Sequence, residues 1–232
     1  MRIWVTRTAP DADATAQRLR TMGHSPLVGP VLEVRPILTP RPRLEGVGAL
    51  AFTSRNGVTA FAALNADRDL PVFTVGESTA RSAHAAGFSN VQSADGDVLA
   101  LAELIARRTG DFSGLVLHLG AREPADDLPG LLEARGLAAR AHPVYSTEPA
   151  KPPLGATTAL AARPVELDAI LVHSPRAAEC LAGIAELQRA AQSIDAFCIS
   201  AAAAAPLRPL NLRSVAVAPR PEETALLNLV SS

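Results

Sequence analysis

The chain has 232 residues, of which 48% are hydrophobic and 19% are charged, and its formal net charge is −1. The length suits two compact domains of about 100 residues each, and the apolar content excludes an intrinsically disordered chain. The near-neutral charge excludes the strong basic field that attracts proteins to nucleic acid or anionic membranes, so an anionic ligand would need local contacts.

Short β-branched runs alternate along the chain with Ala- and Leu-rich segments of helical period, which is typical of parallel strands joined by crossover helices. The predicted strands are 3–6, 26–28, 49–53, 72–75, 89–92, 115–119, 139–144, 168–173, 195–199 and 214–217. The predicted helices are 10–22, 55–65, 77–86, 97–108, 125–135, 175–190, 200–207 and 221–230. Glycines at 23, 87 and 136 stand where helices should end. This pattern predicts an α/β fold with two five-stranded, doubly wound parallel sheets.

The two halves of the chain contain similar segments in the same order. Residues 51–58 resemble residues 171–178, about 120 positions later, and residues 72–80 resemble residues 196–204. In both pairs an apolar strand is followed by a small residue and a helix. The start of the chain, with Thr6 and Arg7 after a strand, resembles 115–136, where Arg122 follows a strand. This internal repeat indicates two copies of one domain.

Proline-rich stretches at 36–42 and 149–153 indicate connections between compact bodies, because proline removes a backbone donor and stiffens the chain. They divide the chain into three pieces. If the first piece, with two strands, joins the last, with three, each domain has five strands. The expected domains are 1–35 plus 150–232 and 42–144, with connectors at 36–41 and 145–149.

Common catalytic motifs do not occur in this sequence. It has no phosphate-binding GxxxxGK[ST] loop, no GxGxxG after the first strand, no HExxH and no GxSxG. The five histidines are scattered without the spacing of metal ligands. The sequence therefore disfavours metal and nucleotide cofactors, and we expect none.

Small hydroxyl residues and helix starts recur where strands end, at Thr6, Ser54, Gly76 to Thr79, and Ser174. Backbone amides at such ends bind carboxylates or phosphates with help from the helix dipole. Four arginines follow strands at the same ends: Arg7, Arg55, Arg122 and Arg176. Because these strand ends line the ligand crevice of an open α/β sheet, two facing domains would present two anion-binding rims to one cleft. This arrangement suits a large polyanion.

Each of these residues also has a purely structural interpretation. Ser54 and Ser174 stand where ordinary helix N-caps stand, as does Asp97. The arginines are also compatible with a solvated surface. His118 and His173 lie in apolar strands, which is typical of core histidines that are hydrogen-bonded. Tyr145, the sole tyrosine, lies at the edge of the second connection, where packing and a functional role are both open.

Cys180 and Cys198 are too few for a disulfide framework or a zinc site, which favours a reducing compartment. The first seven residues turn polar after one short apolar run, unlike a signal peptide or a membrane span. We therefore expect a cytoplasmic protein that binds neither membrane nor nucleic acid, and a monomer.

Taken in order, several motifs resemble the uroporphyrinogen-III synthase family over nearly the whole chain. They are Thr6-Arg7, Phe52-Thr53-Ser54-x-Asn56-Gly57-Val58, Val75-Gly76-Glu77-Ser78-Thr79-Ala80, Gly96-Asp97, Val144-Tyr145-x-Thr147 and His173-Ser174-Pro175. The resemblance implies two flavodoxin-like domains joined by a two-stranded connector, the first domain being built from both chain ends. It also implies that hydroxymethylbilane loses its hydroxyl and closes, through a spiro intermediate, with the last pyrrole ring inverted.

The resemblance assigns roles to individual positions. Tyr145 corresponds to a tyrosine proposed to assist loss of hydroxide, and further positions fall in ligand-contacting motifs: Thr53, Ser54, Asn56, Thr79 and Ser174. The second copy departs from the family, because Ser200 and Ala203 stand where Gly and Thr are usual. Two alternatives remain at this point, namely a two-domain small-ligand-binding protein and an inactive homologue of the synthase.

Overall fold

The structure is a computed structural model that describes residues 1–9 and 11–231, with only the main chain of Ser231. The strands are β1 Arg2–Val5, β2 Ser25–Val28, β3 Leu32–Pro36, β4 Val47–Phe52, β5 Val72–Thr74, β6 Val91–Ser93, β7 Leu115–Ala121, β8 Ala139–Pro149, β9 Ala169–Val172, β10 Asp195–Cys198 and β11 Ser214–Val217. The α-helices are α1 Asp11–Thr21, α2 Arg55–Leu64, α3 Glu77–Ala85, α4 Val98–Arg107, α5 Leu128–Glu133, α6 Leu154–Ala161, α7 Pro175–Ala182, α8 Ala185–Ala190, α9 Ala201–Ala204 and α10 Glu223–Asn228. Short 3-10 turns span Thr109–Asp111, Ala191–Ser193, Ala205–Leu210 and Leu229–Ser231.

Contacts along the chain divide it into two compact units. The first comprises Met1–Glu33 and Glu148–Ser232, and the second comprises Val34–Thr147. The chain leaves the first unit within β3 and returns to it within β8. Both chain ends therefore belong to the same unit.

The first unit contains a five-stranded parallel sheet in the order β11-β10-β9-β1-β2. Numbered along the chain, this is the doubly wound order 2-1-3-4-5. The direction of winding reverses between β1 and β9. In open α/β sheets the ligand crevice lies at the carboxyl ends of the strands beside this reversal.

The second unit contains a six-stranded sheet in the order β3-β8-β7-β4-β5-β6. Strands β4 to β8 are parallel and show the same order as the first sheet when counting begins at β7, so this sheet is a circular permutation of the first. Its reversal lies between β7 and β4. The prediction of parallel α/β sheets is confirmed, but five strands for this second sheet is wrong, because β3 adds a sixth.

Strand β3 runs antiparallel to the second half of β8. The Ile37 N–H donates to the Val144 carbonyl at 2.8 Å, and the Ala150 N–H donates to the Val31 carbonyl at 2.9 Å. In residues 36–41, one of the two predicted connectors, the strand ends at Pro36 and the following residues are irregular. Residues 145–149, the other expected connector, continue β8 without a break.

Both sheets are covered on two faces, since the inner strands β4 and β9 are buried at every position. In the first unit, Trp4 and Ile170 pack towards α6 to α9, whereas Ile3 and Leu171 pack towards α1 and α10. In the second unit, one face packs on α2 and α3 and the other on α4 and α5. This alternation of side chains explains why these strands read as continuous hydrophobic runs.

Three differences from the predicted helices have local causes. Helix α6 was missed, because its small residues form no amphipathic stripe and it follows Pro152 and Pro153. The helix predicted at 175–190 is two helices, since α7 ends on Gly183. The helix predicted at 200–207 is the short α9 followed by a 3-10 turn that contains two prolines.

Glycines have two structural roles in this fold, of which the sequence predicted the first. Gly23, Gly87 and Gly136 adopt φ of 81°, 97° and 78° where helices end, so the predicted stops are confirmed. Gly57, in the motif that follows β4, lies so close to β7 that a Cβ atom would meet the Leu119 carbonyl oxygen at 2.4 Å. Helix α2 therefore starts directly against the neighbouring strand.

Candidate functional site

The expected site residues of the first unit gather at the reversal between β1 and β9. Thr6 is 1% exposed, and its hydroxyl donates to the Leu171 carbonyl at 2.7 Å. The hydroxyl proton that a carboxylate ligand would need is therefore already used. Thr6 joins the ends of the two central strands instead of presenting a donor.

Arg7 is engaged by two carboxylates of its own unit. Its guanidinium lies 2.9 Å from Asp11 and 3.0 Å from Glu223. Burial lowers the pKa of Arg7, and Glu223 acts in the opposite direction. Arginine remains charged in such a setting, but this charge is largely compensated inside the protein.

The three serines that precede helices are N-caps. Ser54 accepts from the Asn56 N–H at 3.1 Å, Ser174 from the Ala177 N–H at 3.1 Å, and Ser200 from the Ala203 N–H at 3.2 Å. All three are partly exposed, so the capping role and a ligand contact are compatible. Asn56 gives its N–H to this cap, which leaves only its partly buried side chain available.

Helix α3 starts differently, because its N-cap is Gly76 and no side chain caps it. The Thr79 N–H donates to the Gly76 carbonyl at 3.0 Å. Among residues 1–9 and 11–231, no acceptor is found for the N–H groups of Glu77 and Ser78. Apart from its two chain neighbours, no heavy atom lies within 4 Å of where a Gly76 Cβ would stand, so this helix start is open to an anion.

Thr53, directly after β4, is paired with a histidine of the neighbouring strand β7. The Thr53 hydroxyl lies 3.1 Å from His118 Nε2. Burial lowers the pKa of His118 to about 4, and Asp127 acts in the opposite direction. The ring is therefore neutral at physiological pH. It reaches past Gly120, where a Cβ atom would stand 2.9 Å from His118 Nε2.

Tyr145 and Arg122 meet through the main chain at the ends of β8 and β7. The Arg122 N–H donates to the Tyr145 carbonyl at 2.8 Å, and the Arg122 side chain is exposed. The Tyr145 side chain packs in the apolar cluster of Val47, Phe52 and Phe61 and is 7% exposed. In the described part of the chain no side chain bonds its hydroxyl, and the hydroxyl is not among the enclosed unpaired atoms. Its oxygen therefore retains contact with solvent.

Thr79 is 5% exposed and faces the core, so its side chain supports the start of α3. The free donors at this helix start belong to Glu77 and Ser78. The remaining expectation, Asp97 as an N-cap, is confirmed, since its carboxylate accepts from the Ala100 N–H at 2.9 Å.

Sequence reasoning missed Glu223, which organises the polar side chains of the first unit. Its carboxylate accepts hydrogen bonds from Arg7 and Thr15 and lies 3.0 Å from His173 Nε2. Burial acts to raise the pKa of Glu223, but His173, Thr15 and Arg7 together lower it to about 2. No motif marks this residue, because its partners are 50 to more than 200 positions away.

Three further observations on the described residues concern metal ligands, thiols and apolar helices. In residues 1–9 and 11–231 no group of three His, Cys, Asp or Glu side chains could hold a metal ion. Both cysteines are free, and burial raises the pKa of Cys198 to about 12. Over the same residues, no helix has the length and apolarity needed to cross a bilayer.

Solved structures of other proteins have a similar architecture. Two solved structures are similar over nearly all of both chains. Uroporphyrinogen-III synthetase from Helicobacter pylori matches with a TM-score of 0.65 and 17% identity, covering 99% of this chain and 97% of that one. A mutant uroporphyrinogen III synthase from the extremely thermophilic bacterium Thermus thermophilus matches with a TM-score of 0.53 and 18% identity, covering 100% and 98%. At these identities the likeness shows the fold.

Among curated protein sequences no significant match is found. A family model does match, and it is described as uroporphyrinogen-III synthase HemD. The match extends over residues 13–228, which includes most of both units. The chain therefore belongs to the uroporphyrinogen-III synthase family.

Proposed function

We propose that this protein is a uroporphyrinogen-III synthase, a cyclising hydro-lyase of heme biosynthesis. It converts hydroxymethylbilane into uroporphyrinogen III with inversion of ring D and loss of water. The observation that carries this proposal is the family match over residues 13–228. The strand ends described above supply the donors that a polyanionic substrate requires.

The reaction makes modest chemical demands on side chains. One C–O bond and one pyrrole C–H bond break, ring D is inverted by breaking one C–C bond and forming two, and water leaves, so no oxidant or reductant is consumed. The linear substrate can also close unaided to isomer I. The enzyme must therefore hold the chain of pyrroles in one geometry and help the hydroxyl to depart.

We propose that the substrate carboxylates bind at strand ends of each flavodoxin-like unit. The open start of α3, with the N–H groups of Glu77 and Ser78, is best suited because it lacks a side-chain cap. Ser54, Asn56 and Ser174 add polar side chains at partly exposed helix starts. Thr53 adds a hydroxyl whose orientation is set by His118, and Arg122 adds an exposed positive charge.

Thr6 and Arg7 take a supporting part in this proposal. Their hydrogen-bonding groups are occupied by Leu171, Asp11 and Glu223, so they shape the rim of the first unit. Thr79 supports the start of α3 in the same way.

We assign the departure of hydroxide to assistance from Tyr145. Its ring is fixed by packing while its hydroxyl keeps contact with solvent, so the O–H can donate to the leaving group without breaking an internal bond. A donor used mainly in the transition state affects kcat more than KM.

Replacement of this hydroxyl tests the assignment. In Tyr145→Phe, kcat should fall about tenfold, the net value of one hydrogen bond, while isomer III remains the main product. Thermal unfolding should be unchanged, because the hydroxyl has no internal partner among the described residues. A variant with unchanged rate and unchanged isomer ratio would remove Tyr145 from the mechanism.

We also propose a monomer in the cytoplasm. Both cysteines are unpaired, as expected in a reducing compartment. Light scattering during size-exclusion chromatography tests the monomer directly against the chain mass of 24.1 kDa.

The function itself is tested with freshly prepared hydroxymethylbilane. The protein should consume this substrate much faster than it closes unaided, with no added metal or organic cofactor. Consumption at the uncatalysed rate would refute the proposed function. Binding of the substrate without turnover would instead identify an inactive homologue.

A further inference from the structure

A buried histidine of the second unit bonds a single protein group. His118 is 3% exposed, and its Nε2 lies 3.1 Å from the Thr53 hydroxyl. Over residues 1–9 and 11–231, this is the one hydrogen bond found for either side chain. In the same part of the chain, His118 Nδ1 is not among the enclosed unpaired atoms, so it keeps contact with solvent. The ring and the hydroxyl therefore form an isolated pair.

The strand register brings the two side chains together. His118 of β7 pairs with Ala51 of β4, and Gly120 and Thr53 come two residues later along the chain. Side chains two residues apart lie on the same face of a sheet, so the ring passes position 120 to reach Thr53. Glycine leaves this position empty, since a Cβ atom there would stand 2.9 Å from His118 Nε2. The pair thus joins the two strands beside the reversal of the second sheet.

The first unit joins the strands of its reversal in a different way. The Thr6 hydroxyl donates to the Leu171 carbonyl, which can only accept, so the Thr6 proton is used inside the protein. A neutral imidazole nitrogen can instead donate. If Nε2 carries the ring proton, Thr53 accepts a hydrogen bond from it and keeps its own proton for a ligand. A histidine at 118 can therefore supply the second unit with a donor that Thr6 does not offer.

We propose that His118 is a positioning residue for substrate binding, which donates from Nε2 to Thr53 and so directs the Thr53 proton to a carboxylate of the tetrapyrrole. This inference rests on the proposed function. Thr53 touches the substrate, whereas His118 acts only through Thr53. Because burial lowers the pKa of His118 to about 4, the ring has one proton at physiological pH, and Nδ1 carries none when Nε2 carries it.

A double-mutant cycle tests whether His118 acts through Thr53. Thr53→Val removes the hydroxyl and keeps the shape, and His118→Phe keeps a buried ring without nitrogen. We expect KM for hydroxymethylbilane to rise about tenfold in Thr53→Val and several-fold in His118→Phe, with kcat little changed. The double variant should have the KM of Thr53→Val alone. Additive effects, or an unchanged KM in His118→Phe, would overturn the proposal.

Two further variants distinguish positioning from packing. In His118→Gln the side-chain amide can still donate to Thr53, so KM should stay close to that of the parent. His84→Phe is the matched control, because His84 lies at the end of α3, away from the strand ends, and bonds the Phe88 carbonyl. It should keep the parent KM. If His118→Gln and His118→Phe raise KM equally and both lower the unfolding temperature, the histidine has a structural role only, which contradicts the proposal.

The tautomer of the ring gives a readout that does not depend on turnover. In protein labelled with ¹⁵N-histidine, the complex with anaerobic uroporphyrinogen III should show a proton on His118 Nε2 and none on Nδ1. The product keeps the carboxylates of the substrate and serves as the probe. A proton on Nδ1 would make Nε2 an acceptor that uses the Thr53 proton. That result would overturn the inference even in an active synthase.

The proposed function is judged separately, from the parent protein. If the parent forms no isomer III, the proposed function fails, and the cycle is then measured with the dissociation constant of uroporphyrinogen III. Non-additive losses of affinity in Thr53→Val and His118→Phe would still support the positioning role. Additive losses, or no binding by the parent, would overturn it.

Discussion

Thr53 and His173 occupy equivalent positions in the internal repeat, each between a central strand and a capping serine. Thr53 is held by His118 from the adjacent strand, and His173 is held by Glu223 from α10. In both units an imidazole therefore lies at the reversal of the sheet, although it comes from a different strand in each. An imidazole can turn either a donor or an acceptor outwards, which suits a rim that contacts mixed polar groups.

The buried His118 predicts how stability depends on pH. Its pKa is about 4 in the folded protein, below its ordinary 6.5, because burial disfavours the charged ring. Between these values the unfolded chain takes up a proton that the folded protein does not. Stability should therefore fall as the pH falls from about 6.5 to about 4, by about 3 kcal/mol over the whole window.

Urea unfolding at pH 7 and pH 5 measures this effect in the parent protein and in His118→Gln. The free energy of unfolding should drop more in the parent, since the variant has no titrating ring at this position. Contributions from the other histidines cancel in the comparison. An equal drop in both proteins would show that His118 does not titrate as described.

At the residue scale, local features could be predicted and long-range partners could not. The N-cap at Asp97 follows from the neighbouring sequence, because a cap and its donor lie within three positions. Thr6 bonds Leu171, which is 165 positions away, and Arg7 bonds Glu223, which is 216 positions away. No local sequence pattern predicts contacts at such separations. The role of Glu223 could not be predicted for the same reason.

At the element scale, α3 differs from the helix starts at Ser54, Ser174 and Ser200 in its lack of a side-chain cap. Gly76 has φ −159° and ψ 168°, a conformation that serine adopts readily. Gly76→Ser should therefore stabilise the fold by about 0.3 kcal/mol through a new cap. The same hydroxyl oxygen would occupy the amides and repel a carboxylate, so KM for hydroxymethylbilane should rise several-fold.

The matched control is Gly110→Ser, since Gly110 also has no heavy atom near its Cβ position and lies outside the proposed site. Steady-state kinetics of both variants checks the prediction. If both variants keep the parent KM, the start of α3 does not bind the substrate.

The missed elements have physical explanations. Strand β3 alternates apolar and charged residues as an edge strand does, but the prolines at 36, 40 and 42 made a connector the natural prediction. Helix α6 contains Gly155 and two threonines, which weaken the helical signal. Its buried face, Ala156, Ala159 and Leu160, is defined by packing in the first unit, which sequence alone does not show.

At the scale of the whole molecule, the repeat predicted two copies of one domain, and the two sheets share one strand order, which the sequence did not predict. The same order in both units, permuted in the second, explains why residues 51–58 resemble residues 171–178: each segment runs from the end of the strand beside the reversal into the following helix. Strand β3, the sixth strand of the second sheet, could not be predicted from the internal repeat, because it has no counterpart in the first sheet. The capping serine repeats at these strand ends, as Ser54 and Ser174, whereas the residue before it is Thr53 in one unit and His173 in the other.

The most direct test of the proposed function is the ratio of uroporphyrinogen isomers formed from hydroxymethylbilane at increasing enzyme concentration. The products are oxidised to uroporphyrins and separated by chromatography. If the protein inverts ring D, the share of isomer III should rise with enzyme concentration until isomer I becomes a minor product. Isomer I alone, formed at the same rate at every enzyme concentration, would contradict the account.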